Sequence, residues 1–86
     1  MKLMAKGQEC EGEIIWEGYA QSVDSCAAVC KPSAAIFQYG RCNRDICQCF
    51  CVLEAPDGDC KRKNNTEVDI YTLKVGKERP YFCFIK

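Results

Sequence analysis

The sequence contains no histidine. This absence removes the most common general base and the most common metal ligand among the side chains. Hydrolase mechanisms of the Ser-His-Asp or Cys-His type are therefore excluded within this chain, and we expect a protein that is not an enzyme. The sequence also lacks an apolar run near the ~20 residues that a membrane span requires. The first six residues hold no apolar stretch long enough for a secretory signal, so we interpret the chain as a form from which any signal has been removed.

Net charge is also absent, since 12 basic residues balance 12 acidic ones. A neutral total argues against general nucleic-acid binding, and we expect neither a nucleic-acid partner nor membrane insertion. The charge is unevenly placed: residues 1–60 carry 5 basic and 9 acidic groups, and residues 61–86 carry 7 and 3. The excess of basic residues at 61–86 is still compatible with an anionic partner that binds at that end.

Cysteine is the residue that the sequence has in excess, with 9 in 86 residues. A domain this short has a marginal core, because it buries only about 60–65% of its unfolded surface. This cysteine content is typical of small extracellular domains that disulfides hold together. We expect a flexible segment at residues 1–9 and a single secreted domain at residues 10–86. The cysteines are Cys10, Cys26, Cys30, Cys42, Cys47, Cys49, Cys51, Cys60 and Cys83.

Metal binding is the alternative use of these cysteines. The run from Cys47 to Cys51 has C-x-C-x-C spacing, and such thiolate clusters can bind zinc or copper(I). The usual C-x2-C pairs of structural zinc sites are missing. The chain also has one Trp, four Tyr and four Phe, whose rings need a folded core. We therefore predict that the oxidised protein has four internal disulfides and binds no stoichiometric zinc, and we expect no cofactor.

One helix and several strands follow from the local pattern. Ser22 offers an N-cap and Pro32 a stop, which predicts a helix of about ten residues between them. Its apolar face carries Cys26 and Cys30. Alternating apolar residues and turn signals predict strands at 13–16, 35–39, 46–53, 68–75 and 80–85. One helix against antiparallel strands predicts an α+β fold.

The spacing of the cysteines predicts how helix and sheet are joined. Cys26 and Cys30 lie four residues apart, about 6 Å along a helix axis. Residues i and i+2 of a strand lie about 6.6 Å apart on one face. The helix pair therefore matches two neighbouring members of the set Cys47, Cys49 and Cys51, and cannot match Cys47 together with Cys51, which are about 13 Å apart.

Four segments resemble the PAN/apple domains of extracellular proteins. Residues 19–30 resemble the family's helix with its C-x3-C motif, and residues 35–39 its aromatic-x-Tyr strand. Residues 51–53 resemble its Cys-x-Leu strand, and residues 69–71 a late strand. The similarity covers roughly residues 10–84 and is most specific at the helix and the aromatic strand.

The resemblance implies a twisted antiparallel sheet of about five strands with one helix packed across it. It also implies extracellular recognition of a protein or a carbohydrate, without catalysis. Cys10 and Cys83 fit the outer cysteine pair of the apple subgroup. Family members usually have a cysteine before the aromatic strand, where this chain has Ala34 and Ala35. The missing disulfide partner would then be replaced across the hairpin by Cys49 or Cys47.

The remaining pairings follow from chain geometry. Cys10 and Cys83 lie near the two ends and would tie the terminal strands together. The turn at Pro56 folds Cys60 back toward Cys51, which makes a bridge between Cys51 and Cys60 reachable. The helix pair then takes Cys47 and Cys49.

Cys42 is left over in this scheme, in a loop at residues 41–44 between two arginines. A lone thiol there is expected to be reactive and to link two chains into a homodimer. The strongest competing pairing is a bridge between Cys42 and Cys47, which frees Cys60 instead.

Two surface motifs are candidate functional features. Lys61, Arg62 and Lys63 form a basic cluster that could bind an anionic ligand such as a sulfated glycan; the alternative is a solvated loop. Asn64 begins an N-x-T sequon and is a candidate for N-glycosylation. Four aromatic residues are expected in the core. They are Trp16, Phe37, Tyr39 and Phe50.

The sequence therefore favours a secreted, non-enzymatic binding module that recognises an extracellular protein or glycan. Two alternatives remain open. A small, disulfide-dense chain also suits a secreted toxin or enzyme inhibitor. A structural or adhesive protein joined through intermolecular disulfides is the third interpretation.

Overall fold

The computed structural model describes residues 1–56 and 58–73. In chain order the elements are β1 (Lys2–Ala5), β2 (Gln8–Cys10), β3 (Ile14–Ala20), α1 (Val23–Cys30), β4 (Ile36–Asn43), β5 (Ile46–Val52), β6 (Arg62–Asn64) and β7 (Val68–Thr72). Five strands form an antiparallel sheet in the order β1-β7-β4-β5-β3, and β2 pairs with β6. With one short helix and four disulfides, this confirms a small, disulfide-stapled α+β fold. The expected strand at 80–85 lies outside the described residues.

Helix α1 begins and ends where the sequence predicts. The Ser22 hydroxyl accepts a hydrogen bond from the backbone N–H of Ser25 at 3.1 Å, and Asp24 lies in the first turn, where a carboxylate is favourable. The helix ends at Cys30, two residues before Pro32. In the described part of the chain, no helix has the length and apolar character needed to cross a membrane.

The hairpin of β4 and β5 is the centre of the main sheet. Neighbouring residues of β4 face opposite sides, so Phe37 points to the helix side and Ile36 to the far side, and both are fully buried. On the helix side, Phe37 stacks on Tyr71 with ring centroids 5.2 Å apart. On the far side, Ile36 packs with Val52 and Ile70. The domain therefore has two small cores, one on each side of one sheet.

The N-terminal residues are not the flexible segment that we expected. Strand β1 pairs with β7, with Leu3 opposite Tyr71, and β2 pairs with β6. Gly7 turns the chain between them at a φ of +68°, a conformation that glycine adopts without strain. These strands could not be predicted from the local pattern, because they are only four and three residues long and both depend on distant partners.

Strand β4 is longer than predicted because Gly40 does not end it. A side chain at Gly40 would overlap the backbone carbonyl of Glu67, so glycine allows the turn before β7 to lie against β4. The strand continues to Asn43, and the hairpin register is irregular between Gly40 and Asn43. Two arginines of this hairpin, Arg41 and Arg44, have positive φ values of 52° and 64°.

The helix is joined to the sheet by two disulfides, Cys26–Cys49 and Cys30–Cys51. The expectation that the helix pair takes two neighbouring β5 cysteines is confirmed. The choice of Cys47 and Cys49 was wrong, and so was the bridge from Cys51 to Cys60. The reason is the position of α1, which lies over Cys49 and Cys51, two residues further along β5 than the predicted pair Cys47 and Cys49.

The outer bridge joins Cys10 to Cys60, with their Cα atoms 5.6 Å apart. The predicted bridge between Cys10 and Cys83 is therefore wrong, and Cys83 lies outside the described residues. The pairing of β2 with β6 explains the outcome, because the N–H of Glu11 donates to the carbonyl of Lys61 at 2.7 Å. This ladder brings Cys60 beside Cys10.

Cys42 is not a free thiol but forms a bridge with Cys47. The prediction of a reactive Cys42 is wrong, and the competing Cys42–Cys47 pairing is correct. The physical reason is the extension of β4, which places Cys42 across the hairpin from Cys47, with Cα atoms 3.9 Å apart. Cys60 is not freed, because it pairs with Cys10.

Candidate functional site

Strand β3 is an edge strand of the main sheet. It pairs with β5 on one side, and none of the described strands pairs with its other side. Four of its large apolar residues are at least 40% exposed. They are Ile14, Ile15, Trp16 and Tyr19. An exposed apolar edge strand offers both unpaired backbone groups and apolar contact area to another chain.

Both faces of β3 carry an exposed aromatic ring. Trp16 lies on the helix side of the sheet, where its indole covers Gly18; a side chain at Gly18 would overlap the ring. Tyr19 lies on the far side, opposite Gln48 of β5. Tyr19 is 64% exposed and Trp16 is 41% exposed. An extended segment lying along β3 could therefore place side chains against an aromatic ring on either face.

Two carboxylates lie along this edge, Glu17 within β3 and Glu13 just before it. Glu13 and Glu17 are exposed, and within residues 1–56 and 58–73 no Lys or Arg lies within ion-pair distance of either carboxylate. Glu17 sits between Trp16 and Gly18, in the middle of the edge. A charge at this position discourages two copies of β3 from pairing in register, but attracts a basic partner.

A shallow depression continues the edge at the start of β3. Its volume is about 350 Å³. Its lining includes the apolar residues Ile15, Val52 and Leu53 and the charged residues Lys31 and Glu54. The exposed side chains of Ile15 and Leu53 make it suited to an apolar side chain of a partner. We refer to β3 together with this depression as the β3 edge surface.

The cations of the basic cluster at residues 61–63 lie beside carboxylates. Each of its side chains lies within 4 Å of a carboxylate: Lys61 of Glu11 at 3.9 Å, Arg62 of Asp59 at 2.8 Å, and Lys63 of Glu9 at 3.2 Å. Strand geometry also turns Arg62 and Lys63 to opposite sides of β6. Any anionic ligand at these residues would therefore compete with the neighbouring carboxylates, and the predicted anion site stays a prediction.

Glu9 is the centre of the polar network on this side of the domain. Its carboxylate accepts a hydrogen bond from the Asn65 amide at 2.7 Å and lies near Lys63 and Arg41. The Asn65 hydrogen bond and these cations lower the pKa of Glu9, against the opposing effect of burial. The pKa of Asp59 is likewise lowered, because its carboxylate accepts from the Cys60 backbone N–H and lies beside Arg62.

Asn64 is exposed at the end of β6. The Gln8 amide donates to its side-chain oxygen at 3.5 Å, a weak contact that a glycan could displace. The neighbouring Asn65 is used internally, since its side-chain oxygen accepts from the backbone N–H of Glu67 at 3.1 Å. The accessible position of Asn64 is compatible with the predicted glycosylation.

A second concave region lies between the start of α1 and strands β4 and β7. Its volume is about 540 Å³, and Tyr39, Tyr71 and Asp69 contribute to its lining. The Tyr39 hydroxyl donates to the carbonyl of Ala20 at 3.2 Å. Burial raises the pKa of both tyrosines, and the nearby Asp69 charge raises that of Tyr71 further. Because Tyr39 and Tyr71 both serve the core, this cleft gives a weaker argument for binding than β3.

Sequence reasoning placed Trp16 in the core together with Phe37, Tyr39 and Phe50. Phe37 is fully buried, while Tyr39 and Phe50 are partly buried. Trp16 was assigned wrongly because its strand lies at the edge of the sheet, which the local sequence does not show. The continuous apolar run from Ile14 to Trp16 is typical of a buried strand, so the local sequence points away from the exposed edge position that the structure shows.

Comparison with protein-family models, with curated proteins and with solved structures found no match for this chain. The resemblance to PAN/apple domains therefore remains a prediction from the sequence.

Proposed function

We propose that this protein is a secreted, non-enzymatic binding module that recognises a protein partner through the β3 edge surface. The observation that carries the proposal is the exposure of four large apolar residues along one edge strand. Four disulfides in a chain of this size are typical of extracellular proteins. The lack of histidine in the sequence also supports a role in binding rather than catalysis.

The chemistry of the surface favours an extended, apolar segment that contains lysine or arginine. The partner's backbone would pair with the free side of β3, as in other cases of strand addition. Apolar side chains would contact Trp16 on one face and Tyr19 on the other. A basic side chain would meet Glu13 or Glu17, whose charges are uncompensated among the described residues.

Two other interpretations are less well supported. The disulfide-linked structural protein was expected to join through Cys42, which is bridged to Cys47. The four described bridges take eight of the nine cysteines, and the ninth, Cys83, lies outside the described residues. Binding of a sulfated glycan depended on the cluster at residues 61–63, whose charges are paired. A toxin or inhibitor could use the same β3 edge surface, so that alternative differs in the partner's identity and not in the site.

The test begins by selecting displayed ten-residue peptides on the oxidised protein and measuring the affinity of the enriched peptides by fluorescence anisotropy. We expect peptides that alternate apolar residues with Lys or Arg. Ile15→Lys and Tyr19→Lys should each weaken binding at least tenfold. Methylating alternate backbone nitrogens of the peptide should have a similar effect, because strand addition uses backbone hydrogen bonds.

The matched control is Val29→Lys, since Val29 is 47% exposed but lies on the helix. It should bind the peptides like the wild-type protein. Equal loss of binding in Val29→Lys, or full binding by Ile15→Lys, would overturn the proposal. Sedimentation measurements on the protein alone identify a further outcome: a dimer that Ile15→Lys dissociates would make a second copy the partner and contradict the proposed basic segment.

A further inference from the structure

Four cysteines meet in a single cluster where the helix contacts the sheet. Cys26 and Cys30 come from α1, Cys49 and Cys51 come from β5, and none has any exposed area. The sulfur atoms of Cys26, Cys30 and Cys49 all lie within 4.8 Å of one another. Cys30 and Cys49 belong to different bridges, yet their sulfurs are only 3.9 Å apart. We call these four residues the sulfur cluster.

Three of these sulfurs, from Cys26, Cys30 and Cys49, already lie close enough together to ligate one metal ion, and the fourth, from Cys51, is bonded to Cys30. Four thiolates at a Zn–S distance of about 2.3 Å form a tetrahedron whose sulfurs are about 3.8 Å apart. The sulfurs of Cys30 and Cys49 already have this separation. One turn of the helix supplies Cys26 and Cys30, and an i, i+2 pair on one face of β5 supplies Cys49 and Cys51. The fold therefore brings four ligands together although the sequence has no C-x2-C motif.

We propose that the sulfur cluster binds one Zn²⁺ when its two disulfides are reduced, and that the metal then holds α1 on the sheet in place of the bridges. The reductant is a thiol or a dithiol. Each bridge takes up two electrons and two protons, while the reductant is oxidised to its own disulfide. Zn²⁺ binding to the four thiols then displaces up to four protons, which leaves a tetrathiolate centre.

The proposal is independent of the β3 edge surface and assigns the binding to the fold, not to the C-x-C-x-C run. Cys47 belongs to that run but is directed to Cys42, in the hairpin beyond the helix. Cys26 and Cys30 are outside the run and belong to the cluster. Substituting Cys26 or Cys30 is therefore expected to weaken metal binding, whereas substituting Cys47 is not.

The experiment reduces the full chain with a phosphine under anaerobic conditions and titrates it with Co²⁺ and then Zn²⁺. We expect one equivalent of Co²⁺ with the visible absorption bands of a tetrahedral tetrathiolate site, and displacement by one equivalent of Zn²⁺. Circular dichroism should show that Zn²⁺ restores helix signal to the reduced chain, because an eight-residue helix is not stable by itself.

Variants separate the cluster from the motif. Cys26→Ser and Cys51→Ser should each weaken Zn²⁺ binding at least tenfold and alter the Co²⁺ spectrum. The double variant Cys42→Ser/Cys47→Ser should bind Zn²⁺ like the wild-type protein. The proposal is overturned if the reduced protein binds no stoichiometric metal, or if loss of Cys47 weakens binding as much as loss of Cys26. It is also overturned if bound metal leaves the chain unfolded.

Discussion

Strand β3 and the basic segment 61–63 are both exposed, but their charges have opposite surroundings. The segment looks functional in the sequence, yet each of its three cations has a carboxylate within 4 Å. Strand β3 looks like a core strand, yet it exposes apolar side chains and carries Glu17 without a cation in the described part of the chain. The difference shows that the neighbours of a segment in the sheet determine whether its side chains are exposed and whether its charges are paired.

The largest expected effect is the loss of stability when the disulfide beside segment 61–63 is removed. The pairing of β2 with β6 holds segment 61–63 in place, and Cys10–Cys60 closes the longest loop of the described bridges, with a sequence separation of 50. Replacing both cysteines by serine should cost about 4 kcal/mol of unfolding free energy, and Cys42→Ser/Cys47→Ser about 2 kcal/mol. Urea unfolding checks both values; equal losses would contradict the dependence on loop length.

The second prediction concerns charge at the β3 edge. Glu17→Lys should weaken binding of the selected basic peptides about tenfold, because the new cation repels them, and it should change stability by less than about 1 kcal/mol at an exposed site. Glu67→Lys is the matched control, since Glu67 is exposed but lies near Arg41 and away from β3. Peptide affinity that is unchanged in Glu17→Lys would show that charge does not select the partner.

The third prediction concerns acid sensitivity. The pKa of Glu9 is lowered in the folded chain, so its interactions stabilise the fold above the ordinary carboxylate pKa. This contribution is lost as the pH falls through the lowered, folded-state pKa. Glu9→Gln should therefore reduce stability at neutral pH and lessen the further decrease between neutral and acidic pH.

Unfolding in urea at neutral and acidic pH measures this difference. Glu13→Gln is the control, because no described cation pairs with Glu13, and it should keep the wild-type pH dependence. A Glu9→Gln protein with the full wild-type decrease would show that the Glu9 network does not contribute to acid sensitivity.

The smallest expected effect is on binding to heparin. Each cation of segment 61–63 lies beside a carboxylate. Substituting alanine for all three residues should therefore change retention on a heparin column only slightly. Glu9→Gln should increase retention, because it leaves Lys63 and Arg41 without their shared carboxylate. A large loss of retention in the triple variant would restore the segment as an anion-binding site.

Features that depend on neighbouring residues were predictable from the sequence. The cap at Ser22, the end of α1 before Pro32 and the match of the helix cysteines to neighbouring β5 cysteines follow from local geometry. Within the described residues, β4, β5 and β7 also fall where the alternating pattern placed them, although their ends differ by up to four residues. Local periodicity is sufficient for these elements because each one carries its own apolar face.

The order of the strands was not predictable in the same way. Cys10 pairs with Cys60 because β2, only three residues long, finds β6 more than fifty residues later. Trp16 is exposed because β3 lies at the edge. Both outcomes depend on contacts between distant segments, which a single sequence does not show. The candidate binding surface was missed for this reason.

The four bridges also determine what happens when the backbone is cut. Cys10–Cys60 spans the three other bridges, and Cys26–Cys49 and Cys30–Cys51 cross each other around Cys42–Cys47. Any single cleavage between residues 10 and 60 therefore leaves both pieces covalently joined. A protease that reaches the hairpin at Arg41 or Arg44 produces a nicked molecule of undiminished size, held by three bridges if it cuts before Cys42 and by four if it cuts before Asp45. The pieces separate only when the disulfides are reduced.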